Sequence, residues 1–176
     1  MSNIISILVQ NKPGVLVRVA SMFSRRGFNI DSLTVGVTQD AAYSRMTVAA
    51  QGNEAFIEQL KNQIAKLVEV EHVQILPSGA KVARSMALLK VWAGGDKRNE
   101  ILKLSEVFRA AVVDIKDTTV TFEITGDDKK IEAFADVLKP YGLLETIRTG
   151  LVALERGENT IYNNIEEREQ NEKTLL

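Results

Sequence analysis

The chain has 176 residues, 45% hydrophobic and 26% charged, with a net charge of −1. That is ordinary globular composition, enough for one large domain or two small ones of about 80 residues. It lacks the charge imbalance that draws a protein to nucleic acid or anionic membrane. There is no Cys and one His, His72. A disulfide framework, a thiolate metal site and a Cys nucleophile are therefore excluded, and the usual acid–base groups are nearly missing; no activity of its own is expected. No apolar run approaches the roughly 20 residues that span a bilayer. The start, Met1-Ser2-Asn3, lacks the features of a signal peptide, so a cytoplasmic protein is expected.

Ile4 to Val9 is almost continuously apolar and β-branched, which predicts a strand buried on both faces. Pro13 is expected in the first turn of a helix, where a missing N–H costs nothing. That helix carries Val15, Leu16, Val19 and Phe23 on one stripe and ends at Arg25-Arg26-Gly27, basic residues at the dipole's negative end followed by a C′ glycine. Phe28 to Val37 predicts a strand, Gln39 to Ala42 a turn, and Met46, Val48 and Ala50 a hairpin partner. Gly52-Asn53 opens a second helix bearing Phe56, Ile57, Leu60, Ile64 and Leu67, and Val70 to Leu76 is a fourth strand. The order β-α-β-β-α-β is the ferredoxin-like plan.

After Pro77-Ser78-Gly79-Ala80 the order recurs. Met86 to Ala93 is a strand, and Gly94-Gly95-Asp96 leads into a helix with Ile101, Leu104 and Phe108 in line. Ala111 to Ile115 and Val120 to Ile124 are strands, and Asp127 N-caps a helix carrying Ile131, Phe134, Val137 and Leu138 that Pro140-Tyr141-Gly142 breaks. Leu143 to Leu154 predicts one long closing strand, and beyond Gly157 the chain turns polar, as a frayed or helical tail would. The fold expected is α+β: two tandem ferredoxin-like βαββαβ domains with antiparallel sheets and helices on one face. The boundaries are 2–77, a linker at 78–82, 83–157, and a polar tail at 158–176.

The first half resembles an ACT domain, the small module that senses amino acids. The stretch from Asn3 to Gly157 is similar to the regulatory (small) subunit of acetolactate synthase, also called acetohydroxyacid synthase. The strings that carry this are Val9-Gln10-Asn11-Lys12-Pro13-Gly14-Val15-Leu16, Arg25-Arg26-Gly27-Phe28-Asn29-Ile30-Asp31-Ser32-Leu33 and Tyr43-Ser44-Arg45-Met46-Thr47. Phe108-Arg109-Ala110-Ala111-Val112-Val113-Asp114, Phe122-Glu123-Ile124-Thr125-Gly126 and Glu145-Thr146-Ile147-Arg148-Thr149-Gly150 carry it in the second half. Ser85-Met86 departs from the Glu-Leu expected before the fifth strand. The resemblance implies a non-catalytic subunit that activates the large catalytic subunit and confers feedback inhibition by valine, or by leucine or isoleucine, in branched-chain amino-acid biosynthesis. It implies thiamine diphosphate, Mg²⁺ and FAD on that catalytic partner and no cofactor on this chain. It also implies a homodimer of side-by-side ACT domains, in which Asn29 of one chain faces the Asn11–Gly14 turn of the other.

The chemistry of a free amino acid gives these turns a role. Its carboxylate suits a helix N-terminus, which Gly14 lets it approach and where Val15 N–H is a second donor. Its ammonium suits the Asn11 side-chain oxygen, and Asn29 can donate to one group or accept from the other. Its apolar side chain needs a wall, which Ile30, Leu33 and Val35 supply. The candidate effector site is therefore Asn11, Lys12, Pro13, Gly14, Val15 and Leu16 with Asn29, Ile30, Leu33 and Val35; no catalytic or metal residue is expected.

Blander readings stand beside these. Asn11 alone reads first as an N-cap or turn residue, Gly14 equally as a small residue where helix meets strand, and Asn29 as turn chemistry. Arg25 and Arg26 read as a solvated helix end, Trp92 as core, His72 as a strand residue, and Arg45 as a partner for Asp31 or Asp40. Gly94-Gly95-Asp96 is a weak phosphate motif. The rival functions are a stand-alone amino-acid sensor acting on another enzyme or regulator, and an enzyme on a ferredoxin-like fold.

Overall fold

The computed structural model describes residues 2–95 and 97–162. Asp96 and the polar stretch from Asn163 onward, both of which figure in the sequence reading, lie outside the described residues. Residues 2–82 together with 151–162 form one compact unit and residues 83–150 another. These divisions differ from the sequence-based boundaries at 77 and 157.

In the first unit β1 (Ser2–Gln10), α1 (Val15–Arg25), β2 (Ile30–Val37), β3 (Tyr43–Gln51), α2 (Glu54–Ile64) and β4 (Val70–Leu76) give the βαββαβ order. The four strands form an antiparallel sheet in the order β2-β3-β1-β4, so β2 and β4 are its edges. Alternation along the strands sends Ile5, Ile7 and Val9 of β1 and Met46, Val48 and Ala50 of β3 to one face. There they meet Val15, Val19 and Phe23 of α1 and Ile57, Leu60 and Ile64 of α2, the helical stripes read from the sequence. Asn53 caps α2, its Oδ1 accepting from Phe56 N–H at 2.8 Å.

Two local expectations change. Pro13 is not helical: α1 starts at Val15, and Gly14 is its N-cap in the left-handed region at φ 84°. β2 starts at Ile30 rather than Phe28, because Phe28 N–H is taken by Phe23 O at the end of α1. The Phe28 ring packs instead on Phe56, with centroids 4.7 Å apart.

The opposite face of this sheet is also out of solvent, with Ile4, Leu8, Ala49 and Leu76 buried. Residues 151–162 lie against it. Leu151 N–H donates to Ser32 Oγ at 2.7 Å, Arg45 Nη2 donates to Ala153 O at 3.1 Å, and Gln74 Nε2 donates to Glu155 Oε2. Ala153 and Ile161 are buried. Arg45 is thus partnered by a backbone carbonyl, and burial lowers its pKa below that of a free guanidinium.

The other elements are β5 (Lys81–Trp92), α3 (Lys97–Phe108), β6 (Ala111–Ile115), β7 (Thr119–Gly126), α4 (Asp128–Gly142), β8 (Leu143–Arg148) and β9 (Val152–Glu155). The sheet order β6-β7-β5-β8 repeats the plan of the first sheet, and β9 pairs with β5. Ala87, Leu89 and Val91 of β5 and Val120, Phe122 and Ile124 of β7 pack on Ile101, Ile131, Phe134 and Leu138. Asp127 Oδ1 accepts from Lys130 N–H at 2.9 Å and caps α4.

Pro140 does not break α4; the helix runs on to Gly142 at φ 96°. A proline in the last turn removes one intrahelical bond where few remain. The expected closing strand is two strands, β8 and β9, separated at Thr149-Gly150-Leu151 because Thr149 N–H turns onto Met86 O. Trp92 is not core. It is 41% exposed, and its indole lies where a Cβ on Gly94 would come within 2.4 Å of it. Packing against Trp92 accounts for Gly94, and φ 63° accounts for Gly95.

Candidate effector site

The turn from β1 into α1 is held from two sides. On one, Asn11 N–H donates to Ala42 O at 2.7 Å and Asn11 Nδ2 to Ala41 O at 3.0 Å, fixing the turn to the β2–β3 connection. The amide nitrogen is thereby engaged, and Oδ1 is the side-chain atom that can accept. On the other side Lys12 Nζ donates to Gln10 Oε1 at 2.8 Å, and Gln10 Nε2 to Glu71 Oε1 at 3.0 Å. Arg18, one turn into α1, pairs with Glu69. Glu69, just before β4, and Glu71, within it, therefore anchor both the turn and the helix that follows.

The helix start is open. No side chain among the described residues caps it. Val15 N–H closes a long contact to Lys12 O at 3.4 Å, and the first regular bond is Arg18 N–H to Gly14 O at 3.1 Å. The amides of Leu16 and Val17 find no backbone acceptor among the described residues, so they are the open donors at this end. Gly14 is exposed, and a Cβ on it would meet nothing within 4 Å. Glycine is therefore required here by its φ and not by packing inside the chain, which removes the small-residue reading of Gly14. The arrangement is an uncapped, positively polarised helix end with clear space in front of it and an amide oxygen nearby.

The remaining predicted residues divide. Val15 is 4% exposed and its side chain belongs to the core; Leu16 is 41% exposed. Ile30 and Leu33 pack against the core from β2, and Val35 is 40% exposed on the same sheet face, opposite Met46. Asn29 is exposed and donates through Nδ2 to Asp31 Oδ1 at 3.1 Å. It stands at the opposite end of α1 from Gly14, about 16 Å of helix away. One chain therefore does not bring Asn29 together with Asn11 and Gly14. The Val37 end of β2, paired with Ser44, lies at the Asn11 end of the sheet; the Ile30 end, paired with Ala50, lies at the other. The sequence reading missed Gln10, Glu71 and the open amides of Leu16 and Val17. The i, i+2 spacings Gln10/Lys12 and Glu69/Glu71 were the one visible signal.

Among the described residues no group of three or more His, Cys, Asp or Glu could hold a metal ion, and no helix is long and apolar enough to cross a membrane.

Comparison with known proteins gives a consistent answer for both units. Residues 5–72 match the model of the AHAS small subunit-like ACT domain, and residues 84–157 match the model of the small subunit of acetolactate synthase. The chain belongs to the acetolactate synthase small-subunit family. It is 45% identical to a probable acetolactate synthase small subunit of Archaeoglobus fulgidus, over 89% of this chain and 98% of that one. It is 43% identical to the acetolactate synthase small subunit of Mycobacterium leprae, over 89% and 93%. The crystal structure of the small subunit from Thermotoga maritima matches with a TM-score of 0.84 and 41% identity, covering 90% of this chain and 99% of that one. Both units of this small subunit are thus the ferredoxin-like folds read from the sequence, and the first is an ACT domain.

Proposed function

We propose that this small subunit is non-catalytic, that it activates the large catalytic subunit of acetolactate synthase, and that it confers feedback inhibition by valine or another branched-chain amino acid. The observation that carries this reading is the β1–α1 turn: an ACT domain whose helix end is uncapped, fronted by a left-handed glycine, and clamped in place by Asn11 and Lys12. The effector's carboxylate meets the Leu16 and Val17 amides, its ammonium the Asn11 oxygen, and its branched side chain the Leu33–Val35 side of β2.

The site is a half-site completed by a second copy. β2 is an edge strand with Val35 and Val37 exposed, and α1 exposes Leu16 and Val17. Such an edge invites pairing. Two β2 strands pairing antiparallel bring the Ile30 end of one beside the Val37 end of the other, and so Asn29 of one chain toward the Asn11–Gly14 turn of its partner. An effector that binds only the paired arrangement shifts the population toward it. The catalytic partner carries thiamine diphosphate, Mg²⁺ and FAD, and the holoenzyme works in the cytoplasm.

The test is to mix the purified subunit with its large subunit and measure acetolactate formation with and without valine. An increase in rate on mixing, reversed by valine, is expected. Unchanged rate and valine response, with valine still raising the subunit's melting temperature, would instead identify a stand-alone sensor.

A further inference from the structure

β2 has two faces with two different attachments. Leu33 and Val35 lie on the helix-covered face, opposite Val48 and Met46. Ser32, opposite Ala49, lies on the other, where its Oγ accepts from Leu151 N–H at 2.7 Å. Leu151 directly follows Gly150, the last residue of the second unit. The strand that lines the effector site is thus tied, through one side chain, to the first residue of the segment that leaves the second unit.

The joint on that face is built differently from the one under the helices. Among the described residues the helix face buries one polar side chain of the sheet, Ser44, beside its apolar cluster. The other face also buries Ile4, Leu8, Ala49 and Leu76, but a polar row crosses its strands between them, with Thr34 opposite Thr47, Thr47 opposite Ser6, and Ser6 opposite Gln74. Ser6 Oγ and Thr34 Oγ1 are buried without a hydrogen-bond partner among the described residues. Interlocked apolar packing resists sliding, whereas a polar joint held by a few directional bonds re-registers when one of them breaks. β2 is also an edge strand, and among the described strands it pairs with β3 only.

We propose that residues 151–155 are a strap that transmits effector occupancy from β2 to the rest of the subunit, with Ser32 as the positioning residue that fastens it. This rests on the effector reading above. An effector that draws Leu33 and Val35 toward it moves Ser32 in the same step, and with it the chain at Leu151.

The test uses the holoenzyme with wild type, Ser32→Ala and Ser32→Thr. A neutral hydrogen bond bounds the effect at roughly 2- to 12-fold. Ser32→Ala is expected to bind valine within about threefold of wild type as the isolated small subunit, while the holoenzyme needs roughly three- to tenfold more valine for half-inhibition. Coupling is reciprocal, so the ratio of valine affinities with and without the catalytic subunit must shrink by the same factor. Ser32→Thr, which keeps the hydroxyl, restores both. A wild-type valine dose-response in the Ser32→Ala holoenzyme overturns the strap. So does an equal loss of valine binding in the isolated variant, which would make Ser32 part of the site itself. If the wild-type subunit binds no branched-chain amino acid, the effector reading fails and takes the strap with it.

Discussion

Gly14 is the position at which a single substitution separates backbone strain from ligand chemistry. It sits at φ 84°, and a Cβ there meets nothing within 4 Å. Any non-glycine residue therefore carries the left-handed penalty, about 1–2 kcal/mol, without a steric clash inside the chain. Asn tolerates that region better than most residues and is nearly the same size and shape as Asp. Gly14→Asn therefore measures strain and bulk, and Gly14→Asp adds only a charge. If the effector carboxylate docks on the helix end in front of Gly14, the new carboxylate lies about 4 Å from it. Their repulsion then ranges from about 1 kcal/mol at water-like screening to about 4 kcal/mol at the effective dielectric of a protein surface. Relative to Gly14→Asn, valine should bind Gly14→Asp about fivefold to a thousandfold more weakly. The assay is calorimetric titration of valine into each variant, with thermal unfolding alongside. Both variants should lose stability alike, of order 4–8 °C for 1 kcal/mol in a domain of this size. Added salt should narrow the gap in valine affinity between them, because the extra term is electrostatic. Equal valine affinity in the two variants refutes the placement of the carboxylate at this helix end.

Val37, 60% exposed on the edge strand, tests the pairing. Val37→Lys should weaken dimerisation at least tenfold by sedimentation velocity and raise the valine concentration needed for thermal stabilisation; an unchanged dimer with unchanged valine response excludes the β2 edge as the interface. Phe134 is fully buried and packs on Phe108 and Phe122, with centroids at 5.1 and 5.6 Å. Phe134→Ala should cost about 3–5 kcal/mol in urea unfolding, and a loss below 1 kcal/mol contradicts the core assignment. Burial, reinforced by Glu100, raises the Tyr141 phenol above the ordinary 10.0. A raised folded pKa means the native state keeps this proton longer than the unfolded chain. The stabilisation is thus present below about pH 10 and is lost as pH climbs through the raised value. Tyr141→Phe should flatten that alkaline decline, and an identical pH profile in the two proteins rules the phenol out as its source.

What could be read from the sequence follows the range of the interactions involved. The helical stripes Val15-Val19-Phe23 and Ile131-Phe134-Leu138, and the caps Asn53 and Asp127, are local signals, and they fixed the two βαββαβ units without help from the rest of the chain. Gly14 was legible as a turn residue but not as a left-handed cap, because Pro13 beside it reads as a helix start. Leu143 to Leu154 is rich in apolar and β-branched residues, so it reads as one strand, and Gly150 was the one local sign of the break between β8 and β9. The Leu151–Ser32 and Ala153–Arg45 bonds join residues more than 100 positions apart, and an amide or a carbonyl carries no sequence signature.

The same limit explains why the candidate site looks incomplete in one chain. Asn11 and Asn29 bracket α1, so the helix itself keeps them apart, and no rearrangement of the loops at its ends spans about 16 Å. Either Asn29 has no part in binding, or it acts on another copy. The pairing proposed above takes the second. β2 is the edge nearest neither β1 nor β4, its exposed residues Val35 and Val37 are apolar, and antiparallel pairing about a two-fold axis exchanges its ends. Asn29 at one end of β2 and the Asn11–Gly14 turn at the other then become neighbours twice over, once for each copy, and each dimer holds two equivalent sites. Binding of the effector and pairing of the chains are in that case a single linked equilibrium, and effector affinity must fall as the protein is diluted below its dimer dissociation constant.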